Sequence, residues 1–176
     1  MRPENPEYLS RARYIGGVPA ATTVILGLGN PIRSDDAAGI EAARLLAEDP
    51  PGAVDVKTSV RGGLDLIDLL SGYERAVIID CIVAPGGEHG RVRRLSLSDI
   101  ERDRALDTHG LALPDMFALA RRLGIPMPSE VVIFGIEASD AVTLSERLTE
   151  PVRSALPQLL RQVRDWLNKA QIGSSE

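Results

Sequence analysis

The chain has 176 residues, 25 acidic against 20 basic, a net charge of −5, and 44% apolar but only 3% aromatic residues. That length supports one domain with an aliphatic core, and the acidic balance excludes nonspecific nucleic-acid binding, which needs a basic surface. A single cysteine, Cys81, excludes an internal disulfide and fits a reducing cytoplasm, while no apolar run is long enough to cross a membrane.

Residues 1–20 are polar, carry charges and prolines, and lack the apolar stretch of a secretory signal. They read as a flexible N-terminal extension. Residues 22–26 are apolar and β-branched, stopped by glycines, and predict a buried strand. Ser34 or Asp35 is suited to cap a helix over 37–47, with Ile40, Ala43 and Leu46 at helical spacing, ended by Pro50, Pro51 and Gly52. Val54, Asp55 and Val56 alternate like a second strand. Gly62 and Gly63 precede a second helix with Leu66, Leu69 and Leu70 on its apolar side.

Residues 76–81, "AVIIDC", predict another buried strand, followed by a turn at 85–87 and a short strand near 91–95, a candidate hairpin partner. After a polar loop, Leu113, Met116, Phe117, Ala120 and Leu123 fall on one helical face that Gly124 closes. Residues 131–136 predict the last strand. From 145 to 169 apolar residues recur at helical spacing, with breaks or kinks expected at Pro151 and Pro157. The folded part is expected over 21–170, with 171–176 a frayed tail. Alternating strands and helices predict a single three-layer α/β domain: a mostly parallel, mixed sheet of about five strands with helices on both faces. Ligands of such sheets gather beyond the C-terminal ends of the strands.

At that edge lies "GLGNPIRSDDAAG", residues 27–39. It is not a dinucleotide loop, because Ile32 stands where the third glycine belongs and Asp35 and Asp36 would repel a pyrophosphate. No Gly-Lys-Ser/Thr follows, so it is not a P-loop either. Gly27 and Gly29 suit a sharp turn off the strand, Asn30 is placed to hold that turn, and Gly39 suits a helix lying close to the sheet. One acid at a helix start caps it; a second adjacent acid adds repulsion and invites another explanation. Asp80 ends an apolar strand, and His109 sits in "DTHG" before an amphipathic helix. Each of the three has an ordinary structural reading. Together, two carboxylates and an imidazole at one sheet edge make a three-ligand set suited to Ni, Zn, Mn or Fe, with positions left open. Two negative charges would balance a divalent cation. His89, in a turn, reads as solvent-exposed, and Cys81 alternates away from Asp80 into the core.

These motifs, "ILGLGNPIRSDDAAG", "VIIDCIV", "THGLALPDMFALARRLG", "VVIFGIEA" and "LSERL", run in order over most of the chain. They resemble the maturation endopeptidases of nickel–iron hydrogenases. The resemblance implies an endopeptidase that removes the C-terminal extension of the hydrogenase large-subunit precursor after nickel insertion. It implies that Asp36, Asp80 and His109 contact the nickel; the open ligand set makes Asp36 or Asp80 a candidate general base, with the mechanism open. The nickel belongs to the substrate, and another divalent metal could take its place in the isolated protein. Gly27, Gly29, Asn30, Asp35 and Gly39 form the supporting loop. Many members carry Glu at position 36; the shorter Asp brings the metal nearer the helix start. Neither a nucleic acid nor a membrane is expected as partner. Two alternatives share some of these features. A non-catalytic chaperone could hold the same precursor with the same residues. A peptidyl-tRNA hydrolase opens on a similar "GLGNP", yet needs an early His and a basic surface that this chain lacks.

Overall fold

The structure is a computed structural model, and it describes residues 21–84, 86–102 and 113–172. Strands β1 (Thr23–Leu28), β2 (Val54–Ser59), β3 (Arg75–Ile82), β4 (Val92–Leu95) and β5 (Glu130–Glu137) form one sheet in the order β2-β1-β3-β5-β4. The first four in that order run parallel, and β4 alone is antiparallel, against β5. A 3-10 turn (Ser34–Ala37) leads into α1 (Ala38–Glu48), and α2 (Asp65–Leu70), α3 (Leu97–Arg102), α4 (Leu113–Arg122) and α5 (Glu150–Ile172) complete the described elements.

The three layers follow from alternation along the strands. Val24, Leu26, Ala76 and Ile78 face α2 and α4 through Leu66, Leu70, Met116 and Phe117. Their neighbours Ile25, Val77 and Ile79 face α1 and α5 through Ala42, Leu46, Leu159 and Val163. A strand covered on both faces has no polar side, so β1 and β3 are continuously apolar over most of their length. The chain goes from β1 to β2 on one side and returns to β3 on the other. The strand order therefore reverses between β1 and β3, and sheets of this kind place their ligand crevice beyond the C-terminal ends of the strands at such a point.

Several local expectations are corrected. No side-chain cap closes the start of the 3-10 turn or of α1: the cap positions are Arg33 and Ala37, which carry no side-chain acceptor, and the Asp35 carboxylate is engaged elsewhere. The short strand after β3 is no hairpin partner of it; β4 pairs with β5 instead. The stretch read as a polar loop holds the one-and-a-half turns of α3, started by Asp99 accepting from the Ser96 amide. Leu123 lies past the end of α4 and is exposed rather than on its buried face. Pro151 falls in the first turn of α5, where its missing N–H is no loss. The helix also continues through Pro157 as one element to Ile172. Val152, Leu156, Leu159 and Val163 around Pro157 are buried, and this packing offsets the lost backbone bond.

Candidate functional site

The site begins with three glycines that let β1 and α1 nearly touch. Gly27 lies inside β1 and has no unusual backbone, so its role is packing rather than turning. A β-carbon there would collide with the carbonyl oxygen of Gly39 and meet the Ala43 side chain at 2.6 Å. Gly39 in turn faces the carbonyl oxygens of Leu28 and Ile79, with no room for a methyl group. The turn itself is made at Gly29, whose φ of +143° is open to glycine and whose α-carbon approaches the Asp36 carbonyl. The Asn30 Oδ1 accepts from the Ile32 amide at 3.2 Å, and the Asn30 amide donates to the Asp36 carbonyl at 3.1 Å. Asn30 thus holds the turn as its side-chain chemistry predicts.

This close approach seats the 34–37 turn against β3. The β1–β3 ladder ends at the pair Gly27–Ile79, so Asp80 is the first residue of β3 past its pairing with β1. β3 itself does not end there; it continues to Ile82 along β5. Asp36 is buried and Asp80 half-buried at this step. The Asp80 Oδ1 accepts the Cys81 amide at 2.7 Å. Burial pushes the Cys81 thiol well above its ordinary range, and the negative charges of Asp80, Asp36 and Asp35 push it further the same way. All three carboxylates therefore act on one point at the end of β3. The thiol is fully buried and protonated, which leaves it no nucleophilic role.

Asp36 and Asp80 both lie near enough to Cys81 for their charges to act on its thiol at the end of β3. His109, the third expected ligand, lies outside the described residues. Among the described residues no group of three His, Cys, Asp or Glu is arranged to hold a metal. His89 is exposed, as its turn position predicts.

Asp35 is not a cap. Its carboxylate is completely buried and accepts from the amides of Ser139 and Asp140 at 2.9 Å each, and from the amide and hydroxyl of Thr149 at 2.7 and 2.9 Å. It ties the start of α1 to the loop between β5 and α5. Glu137 was not singled out in the sequence, yet it is 3% exposed at the end of β5. Its Oε2 accepts the Glu88 amide at 2.6 Å, and its Oε1 lies 3.8 Å from Arg93. An acid ending the apolar run "VVIFGIE" was the signal that could have found it.

The sequence profile described as Hydrogenase maturation protease matches residues 41–166. The chain belongs to the hydrogenase maturation protease family. It is a peptidase of that family, not a peptidyl-tRNA hydrolase, and its business is the processing of a hydrogenase precursor. The match takes in Asp80 and begins after Asp36. Among relatives, the hydrogenase expression/formation protein HupD of Rhizobium leguminosarum bv. viciae is 22% identical over 161 residues, covering 86% of this chain and 79% of that protein. The corresponding protein HoxM of Azotobacter vinelandii is 26% identical over 153 residues, covering 84% and 73%. The solved structure of the hydrogenase maturating endopeptidase HybD from E. coli superposes with a TM-score of 0.73 at 22% identity, covering 84% of this chain and 93% of that one. That likeness shows the fold: a mixed five-stranded sheet with helices on both faces. No helix among the described residues is long and apolar enough to cross a membrane.

Proposed function

We propose that the protein removes the C-terminal extension of a nickel–iron hydrogenase large-subunit precursor, and that it reads the precursor's nickel through Asp36, Asp80 and His109. One observation carries the reading. β3 passes beyond β1 at Asp80, the turn bearing Asp36 packs against β3, and both carboxylates act on the Cys81 thiol. Two carboxylates at a partly buried step repel each other in a medium that screens charge less than water. A divalent cation offsets that repulsion, and oxygen and imidazole donors suit nickel. The nickel arrives as part of the substrate, so the charge is balanced when a nickel-loaded precursor docks. A nickel-free precursor brings no such charge to the site.

For the reaction, the substrate's nickel polarises the scissile carbonyl or a water, and Asp36 or Asp80 takes the proton from the attacking water. Six exposed apolar side chains support a protein substrate at this edge. Ile32, Val60, Leu64, Val83, Val142 and Leu144 all lie in loops that follow the C-terminal ends of β1, β2, β3 and β5.

The test is mass spectrometry of a nickel-loaded precursor incubated with the protein. Wild type is expected to shorten its C-terminus and to leave nickel-free precursor intact. Asp36→Ala, Asp80→Ala and His109→Ala are each expected to stay folded and to lose cleavage. Full cleavage by all three variants would sink the proposal. An untrimmed precursor held in a stable complex with wild type would indicate a binding module instead.

A further inference from the structure

We propose that Asp35 is a positioning residue for the reaction: its carboxylate locks the 139–149 segment onto the start of α1 and so fixes where Asp36 sits. The inference rests on the reading of Asp36 as a nickel-facing residue.

Asp35 is fully buried. A carboxylate there is costly unless donors replace its water. Four donors do, and all are neutral: the amides of Ser139, Asp140 and Thr149, and the Thr149 hydroxyl. None belongs to its own helix. The backbone adds a second set of ties between the same two segments. The Asp35 amide donates to the Asp140 carbonyl at 2.9 Å, and the Ser34 amide to the Ser145 carbonyl at 2.8 Å. The Ser145 amide donates to the Ile32 carbonyl at 3.1 Å, and the Ser34 hydroxyl to the Arg147 carbonyl at 3.2 Å.

Ser34 lies between these ties with φ of +47°, the only non-glycine in the left-handed region among the described residues. Such a conformation is costly for a residue with a β-carbon and persists only where its surroundings over-determine it. Here they do, one residue before Asp35 and two before Asp36. The next turn is pinned from the other side, by Gly39 against β3. Asp36 therefore stands between two fixed points, and Asp35 supplies one of them. An acid suits this place better than an amide. Both carboxylate oxygens accept, whereas the NH2 of Asn would face one of the donors.

The experiment compares wild type, Asp35→Asn, Thr149→Val and Asp36→Ala. It follows cleavage of nickel-loaded precursor and amide hydrogen exchange of the folded proteins. Asp35→Asn is expected to exchange faster at Ser139, Asp140 and Thr149. Its kcat is expected to fall at least about tenfold, as misplacing a reacting group does, with KM changed by less than about twofold. Thr149→Val deletes one donor and is expected to move kcat the same way by less. If Asp35→Asn does not fold, Thr149→Val carries the test alone: a lower kcat at unchanged KM supports the role, and an unchanged kcat overturns it. A folded Asp35→Asn with wild-type kcat overturns it as well, as does a loss that merely tracks the unfolded fraction. In those cases an inactive Asp36→Ala leaves the site itself standing. A fully active Asp36→Ala removes the site reading and this role with it.

Discussion

Gly39 lies against the carbonyl oxygen of Ile79 with no space for a side chain between them. The obstacle is backbone on a central strand, so it cannot swing aside as a flexible side chain would. Gly39→Ala must lift the first turn of α1 off the sheet. Overpacking of this kind costs about 1–3 kcal/mol, and urea denaturation of the variant is expected to show a loss in that range. Asp36 sits in the 3-10 turn that leads directly into α1. Cleavage per folded molecule is therefore expected to fall too, which separates displacement of the site from simple loss of stability.

Cys81 follows Asp80 directly, yet its thiol faces the core and is kept protonated by burial and by the nearby carboxylates. What Asp80 uses of this residue is its backbone amide, at 2.7 Å. Cys81→Ala keeps that amide. The variant is expected to cleave precursor at the wild-type rate, and the native thiol is expected to resist alkylating reagents until the protein unfolds. Rapid modification of the folded protein with loss of activity would contradict this assignment.

The fold was legible because its signals are periodic. The apolar runs of β1, β3 and β5, and the helical spacing of Ile40, Leu46, Met116 and Phe117, each state which surface is buried. Gly39 and Asn30 were legible because close packing and turns require particular residue types. Asp35 was misjudged because a helix-start acid looks the same in sequence whether it caps its own turn or reaches a loop more than a hundred positions away, at Thr149. Gly27 was misassigned to a turn because adjacent glycines do not reveal which one adopts the unusual backbone and which one merely makes room. β4 was placed on the wrong neighbour because a four-residue strand carries too little pattern to choose a partner. A break or kink is expected at Pro157 because its local cost is visible in sequence, while the packing that keeps α5 unbroken is not.

Lys57 gives the structure a pH dependence of its own. The side chain is buried on β2; its Nζ donates to the Leu69 carbonyl at 3.0 Å and lies 4.7 Å from the centre of the Tyr73 ring. Burial lowers its pKa, and the charge of Asp55 opposes part of that shift. A cation with a folded pKa below its unfolded value, about 10.4, loses its proton first in the folded state. Between the two values the unfolded chain binds more protons, so stability rises with pH. Lys57→Met removes this contribution. Urea midpoints of both proteins from neutral to alkaline pH are expected to show wild type gaining on the variant as pH rises. Parallel curves would refute the assignment.

Glu137 organises the chain that follows β3. Its carboxylate accepts the Glu88 amide and faces Arg93, and its own amide and carbonyl bond Arg91 and Gly90 at 2.9 and 2.8 Å. Gly87 passes so close to the Glu137 Oε2 that a β-carbon there would strike it. Glu137→Ala leaves the Glu88 amide without its acceptor and Arg93 without its partner. A hydrogen bond to a charged group contributes about 1.5–3 kcal/mol, and a loss up to that size is expected in urea denaturation, with faster amide exchange at Glu88. Glu137→Gln keeps an acceptor oxygen and is expected to lose less. Asp80 keeps its bond to the Cys81 amide in both variants, so kcat is expected to follow the folded fraction. A fall in kcat of fully folded Glu137→Gln would instead bring Glu137 into the chemistry of the crevice.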